Sequence, residues 1–421
     1  MKKRYVPLAV VIAVVSAAAC SSDKPAASSS STTTAVTTTA VSSSTEATTS
    51  STGAAITECK LDKPVKIGYA ADFNVGAVSD TPASNMAKYE IGLFNKAGGI
   101  GGQPAEIVVK QISQDPQDLA AAQRSVQEMI DSGVNFILGP PFADYGTAIL
   151  EVTKGKVPVI FVTSTEVTLT DPTKGSFLAS FNDKVQASAA AEFSIKQGFK
   201  TGVTLSSSDA PYFNVTTAAF ADVYKKAGGT LVKDLAFKFG DTDFSAQVNE
   251  IAAMSPRPDV IYSAFFLPDA GIFLKQLRAA GVKSAVIGAD GFDATLIWTA
   301  GADAEGVYFT AHAFPGPKND LASLLDGYTK SGAEKIESQS FGALGADAAI
   351  IAKAAIEKAC STDPAKVIDA LNNLESVKVS SGTVTYKGAG GTPKKDVYIM
   401  QVKGGAPVVA DAFYPSVVSK G

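Results

Sequence analysis

The chain has 421 residues, 46% of them apolar, which is enough for two domains with sizeable cores. Its net charge is −4, or −7 once Lys2, Lys3 and Arg4 at the N-terminus are set aside, and such an acidic body argues against a nucleic-acid partner. A single histidine, His312, argues against histidine-held metals and Ser/His/Asp catalysis and reads as a structural or exposed residue.

In chain order, "MKKRY" and the apolar run "VPLAVVIAVVSAAA" come first. The run is too short to span a bilayer, so residues 1–19 read as a secretion signal. Ala17, Ala18 and Ala19 ahead of Cys20 resemble the bacterial lipobox, whose cysteine is acylated and becomes the new N-terminus. Ala17 stands where that pattern prefers a branched residue, so cleavage at an A-x-A site and free secretion is the other reading. Either way the mature chain lies outside the cytoplasm. Residues 20–56 are almost wholly Ser, Thr and Ala and bury too little to order themselves. As a flexible tether they would reach roughly 33 Å, clear of a membrane surface. Cys59 and Cys360 remain, and an even pair outside the cytoplasm is expected to be bridged; two separate thiols are the alternative.

From Lys63 strands and helices alternate. "VKIGYAAD" is a strand, and Met86, Tyr89, Leu93 and Phe94 place a helix over 82–97. The stretch "AGGIGGQPAEIVVK" follows a helix and opens a strand, the reverse of a phosphate-cradling loop, so its glycines end the helix and turn the chain. In the next helix Asp115 reads as N-cap, Pro116 as first residue and Gly133 as terminator. Strand-like runs continue with "VNFILGPP", "VPVIFVTST", "TGVTLSSSD", "TLVKDLAF", "DVIYSAFF", "SAVIGADG" and "GVYFTAHA". Runs that are apolar without alternation suit parallel strands covered on both faces. The fold class is therefore α/β with doubly wound sheets, and so many units imply two lobes.

Ligands of open α/β sheets sit beyond the carboxyl ends of the strands. Those ends carry Asp72 and Asn74, "GPPFADY" (139–145), Thr163, Ser164 and Thr165, "SSSDAPY" (206–212), "AFFLPD" (264–269) and "GADGFD" (288–293). Hydroxyls, carboxylates and rings without a His, Cys or basic cluster fit a small polar solute with an apolar part, not a catalytic constellation.

With these residues in view, the chain resembles the type I periplasmic solute-binding proteins of ABC importers, particularly the branched-chain amino-acid (Leu/Ile/Val) group. The resemblance runs from Val65 to Tyr414 through "VKIGYAADF", "NKAGGIGGQPAEIVV", "DPQDLAAAQRSVQEMIDSGVNFILGP", "VPVIFVTST", "SDAPYFN", "YSAFFLPDAGIFLKQLRAAG", "VIGADGF" and "GADAEGVYFTAHAFP". It implies two doubly wound lobes joined by three crossovers, 62–181 with 313–380 and 182–312 with 381–419, closing on ligand as a hinged trap. Ser164 and Thr165, in the turn with Thr163, would bind an amino acid's carboxylate and ammonium by hydroxyl and backbone groups, helped by a helix N-terminus. Asp290 would pair with the ammonium. Tyr212 matches a family aromatic, and Phe266 one that is often Tyr. Phe142, Ala143 and Tyr145 stand where the Leu/Ile/Val binders carry a serine-rich segment, which leaves the ligand's identity open.

The expected function is an extracytoplasmic lipoprotein that captures a small solute, most simply an amino acid, and delivers it to a membrane permease. No metal, cofactor or nucleic acid is expected, the membrane is met through the lipid anchor only, and the protein is expected to be a monomer and no enzyme. The alternatives are a sensing module of the same fold, or a binder of an amide or aromatic acid.

Overall fold

The structure, a computed structural model, describes residues 59–73, 79–112, 118–266, 268–293, 301–317, 319–336 and 338–420. The segments 1–19 and 20–56 with Cys20, together with Asn74, Asp115 and Pro116, lie outside the described residues.

Apolar runs buried on both faces make most strands of the first half, and the edge strand β2 is half-buried. β1 (Val65–Ala71), β2 (Ala105–Gln111), β3 (Phe136–Gly139), β4 (Val159–Phe161) and β5 (Ser176–Leu178) form a parallel sheet in the order β2-β1-β3-β4-β5. Their connections include α1 (Thr81–Lys96), α2 (Leu119–Asp131) and α3 (Ala143–Thr153). The glycine run ends α1 as its order in the sequence implies: Gly98 and Gly99 have φ of 104° and 89°, and the Gly99 amide donates to the Phe94 carbonyl at 2.8 Å. A side chain at Gly99 would begin 1.9 Å from the Gln103 carbonyl oxygen, so only glycine fits. The start of α2 differs from expectation. Its cap is Asp118, whose carboxylate accepts from the Ala121 amide at 2.8 Å.

The second half holds α4 (Asp183–Lys196), β6 (Thr201–Ser206), α5 (Pro211–Lys226), β7 (Thr230–Ala236), α6 (Ser245–Ala253), β8 (Val260–Ser263), α7 (Asp269–Ala279), β9 (Ala285–Gly288) and β10 (Tyr308–Ala311). Later come β13 (Val397–Lys403) and β14 (Ala406–Phe413), which add an antiparallel edge and give the order β14-β13-β10-β9-β8-β6-β7. Val203, Ile261, Phe265, Phe273, Val286 and Phe309 fill one face of this sheet, and Phe193, Phe220 and Tyr262 the other.

Between β10 and β13 the chain returns to the first sheet as α8 (Leu321–Lys330), α9 (Gln339–Ala359), α10 (Pro364–Asn372) and the hairpin of β11 (Val377–Val379) and β12 (Gly382–Val384). Leu344, Ala348, Ile351 and Ile356 of α9 share one core with Ile67, Phe136 and Ile160. The passage expected at 381 falls later. Val384 and Tyr386 are still in that first core, because the Tyr386 ring packs edge-on against Phe177 and its hydroxyl donates to the Leu178 carbonyl at 2.6 Å. Even Gly391 stays there, its carbonyl accepting from the Leu178 amide. The chain thus passes between the halves three times, at 179–182, 312–320 and 392–396. A disulfide joins Cys59 to Cys360 and pins the chain ahead of β1 to the left-handed residue that ends α9.

Candidate functional site

The parallel strands of both sheets turn their ends toward a cavity of about 340 Å³. From the first half come Asp72 after β1, Phe142, Ala143 and Tyr145 at the start of α3, and Thr163, Ser164 and Thr165 after β4. From the second come Tyr212 at the start of α5, Phe266 after β8 and Asp290 after β9. All nine ligand-binding candidates of the sequence therefore line one cavity, although they span well over a hundred residues.

Asp290 is the most heavily engaged of them. It opens a one-turn 3-10 segment (Asp290–Phe292) and is 5% exposed. Its Oδ1 accepts from the Tyr212 hydroxyl at 2.7 Å and from Gln186 Nε2 at 2.9 Å, while Oδ2 lies 2.9 Å from His312 Nε2. Its own amide donates to Gln186 Oε1, which also accepts from Thr310 Oγ1. Burial pushes the Asp290 carboxyl up, but the donors His312, Tyr212 and Gln186 outweigh it and hold the group below the usual carboxylate range. Burial also holds the His312 imidazole below its ordinary value, so a neutral ring donates from Nε2 to the carboxylate. Gly291 lets this happen: its amide donates to the Tyr212 hydroxyl at 3.0 Å, where a side chain would meet the Phe265 carbonyl at 2.7 Å. Tyr212 and Phe266 stack face to face, centroids 4.6 Å apart.

Across the cavity the 163–165 turn is fixed by its neighbours. The Ser164 carbonyl accepts from Ser180 Oγ at 2.5 Å, and the Thr165 carbonyl from the Asp183 amide at 3.0 Å. A 3-10 turn (Val167–Leu169) follows directly, capped by Glu166 through the Thr168 amide at 3.0 Å, and α4 begins against the Thr165 carbonyl at Asp183. Hydroxyls and loop amides are what this turn offers an anion. Thr165 is not the cap of that turn; Phe142 is half-buried and Tyr145 packs in the core with Phe161 and Leu169.

Several lining groups escaped the sequence reading. Asp183, Glu166 and Phe341 line the cavity, and His312, expected to be merely structural or exposed, is fully buried, stacked on Phe181 with centroids 4.0 Å apart. Burial, reinforced by Asp290 and Glu166, holds the Asp183 carboxyl well above its ordinary range. An acid in the first turn of a helix is ordinary, and nothing in "FNDK" marks Asp183 as facing a cleft. Among the described residues no cluster of His, Cys, Asp and Glu could hold a metal ion, and no helix is long and apolar enough to cross a membrane.

Two α/β halves with convergent strand ends and a polar and aromatic cavity between them define a receptor for a small solute. The chain belongs to the periplasmic binding protein family, whose sequence pattern matches residues 64–406. It is an extracytoplasmic solute-binding protein and not an enzyme. It is 27% identical over 332 residues to a Leu/Ile/Val-binding protein of Rhizobium johnstonii, covering 78% of this chain and 88% of the relative. Among solved structures it is similar to a leucine-binding protein of Thermotoga maritima (25% identity, TM-score 0.71, 83% of this chain and 99% of that one). It shares its fold with a solute-binding protein of R. palustris in complex with benzoate (20% identity, TM-score 0.68, 85% and 98%).

Proposed function

We propose that the protein captures an α-amino acid between its two halves and hands it to a membrane permease. The observation that carries this reading is Asp290, a carboxylate held ionised at the cavity wall by three side-chain donors, with the hydroxyls and amides of Thr163, Ser164 and Thr165 on the other half. Asp290 meets the ammonium and the turn meets the carboxylate, while Tyr212, Phe266, Phe142, Ala143 and Tyr145 enclose the remainder. The Leu/Ile/Val binding of the relatives supports an amino acid over an amide or aromatic acid. The halves act as lobes, residues 59–178 with 321–391 and 183–311 with 397–413, that close on the solute as a monomeric trap. Acylated Cys20 anchors the chain, and the 20–56 segment tethers it near the permease.

Calorimetric titration with a panel of amino acids and aromatic acids tests the reading, with Asp290→Ala in parallel. Removing one partner of a buried charge pair costs about 2–5 kcal/mol, so amino-acid binding is expected to fall by well over tenfold. An anionic solute that binds equally well to both proteins would refute it.

A further inference from the structure

The apolar lining of the cavity is made largely of rings. Phe142 and Phe341 come from the first half and Tyr212 and Phe266 from the second, all four half-buried, with Pro141 and Pro211 next to Phe142 and Tyr212 in the chain. Phe341 belongs to the first half because its turn of α9 packs against that core. Among the described residues no Leu, Ile, Val or Met lines the cavity. The rings are also held from behind. Phe213 and Phe239 meet the Phe266 ring edge-on, with centroids 5.2 and 6.0 Å away. Phe142 packs against the cluster that holds Tyr145, and the Phe341 amide donates to the Ser338 hydroxyl at 3.3 Å. Two aromatic walls therefore stand in place, one on each half, at little ordering cost to a solute.

Their place relative to Asp290 gives a direction. Tyr212 donates to Asp290 Oδ1 at 2.7 Å and stacks on Phe266 with the ring planes 12° apart. A side chain that leaves an ammonium held at Asp290 therefore starts alongside this pair. Cavities of roughly 300–1,000 Å³ hold drug-sized ligands, and at about 340 Å³ this one has room for more than an isobutyl group. Such a branched group covers a ring face only in part and finds no aliphatic side chain here to interlock with. A planar ring covers a face in full and pairs with it offset-stacked or edge-on, which adds roughly two- to tenfold in affinity for each pair beyond the area covered.

We propose that the solute is an α-amino acid whose side chain is an aromatic ring, received between Phe142 and Phe341 on one half and Tyr212 and Phe266 on the other. The inference rests on the amino-acid reading of the site. Calorimetry on the full-length protein with phenylalanine, its saturated analogue cyclohexylalanine, leucine and benzoate tests it, alongside Phe341→Leu and Phe266→Leu. Phenylalanine is expected to bind about tenfold or more tighter than leucine, and about threefold or more tighter than cyclohexylalanine, which has the same carbon skeleton without the flat face. Each substitution is expected to lower the ratio of phenylalanine to leucine affinity by roughly three- to tenfold. The bond from Phe341 to Ser338 uses the backbone amide, which leucine keeps, so this variant decides the matter even if Phe266→Leu disturbs the ring stack. Leucine or cyclohexylalanine binding as tightly as phenylalanine, or an unchanged ratio in Phe341→Leu, overturns this inference and leaves the amino-acid reading standing. Binding of benzoate alone overturns both.

Discussion

Asp80 shows how one residue can organise a site it does not enter. It is buried between β1 and α1, where Oδ2 accepts from the Asp72 amide at 2.9 Å and Oδ1 faces the Tyr69 hydroxyl at 3.2 Å and Thr163 Oγ1 at 3.4 Å. Two cavity residues on different strands are thus tied to one carboxyl. Burial pushes that carboxyl from 3.8 up to about 8, the donors Asp72, Tyr69 and Thr163 offsetting only part of it, with Asp72 and Tyr69 the titratable groups that face it. The folded chain therefore keeps a proton that the unfolded chain releases above pH 4, so Asp80 makes stability fall as pH rises from about 4 to about 8. Asp80→Asn keeps an acceptor for the Asp72 amide and turns an N–H pair toward a hydroxyl. Urea unfolding at pH 5, 7 and 8.5 is expected to show the variant more stable than wild type at pH 8.5, by on the order of a few kcal/mol. An identical fall with pH in both proteins would rule out Asp80 as its source. Asp290 itself was legible, an acid after a strand between glycines, but its supports were not. Gln186 and His312 lie 104 and 22 residues away and are joined to it only by the fold.

At the scale of elements, the inner parallel strands were legible because burial on both faces leaves an apolar run with no alternation. The short β5, the β11–β12 hairpin and the half-exposed pair β13–β14 carry no such signal. That α9 belongs with the first half was implied by the resemblance, which put 313–380 in the first lobe, and not by any local pattern. The structure explains it through small residues: a side chain at Gly345 would begin 1.9 Å from the Ala83 carbonyl oxygen of α1, and one at Gly342 3.2 Å from Met86 Cγ. These glycines let two helices some 250 residues apart in sequence lie against each other, and the Cys59–Cys360 disulfide fastens the far end of α9 beside β1. Gly345→Ala is expected to push α1 from α9 and cost about 1–3 kcal/mol or more in a urea titration, since backbone must move. Gly271→Ala is the control, as nothing lies within 4 Å of its added carbon. Equal midpoints for the two variants would contradict the close-approach account.

For the whole molecule the question is how a solute in the cavity acts on the passages between the halves. His312 begins the second passage and stacks on Phe181 in the first, while its Nε2 bonds Asp290 at the cavity wall. Near the third, Lys395 is buried 3.5 Å from Asp347, whose other bonds go to Ser380 and Ser381. Asp290 at the cavity wall and two passages thus form one packed unit. A solute can shift the halves toward closure only by the contacts it makes solely in the closed form, so the presentation of Asp290 limits that shift. Replacing His312 with leucine fills the space but removes the Oδ2 donor, a loss of about 1–3 kcal/mol at a buried acceptor. Glutamine keeps a donor. Titration calorimetry and small-angle scattering on the wild type should show binding accompanied by a smaller radius of gyration. His312→Leu is expected to bind roughly tenfold or more weakly and need correspondingly more solute to compact, with His312→Gln between the two. If the leucine variant binds and compacts as the wild type does, the imidazole holds only the Phe181 stack and the coupling between site and passage runs elsewhere.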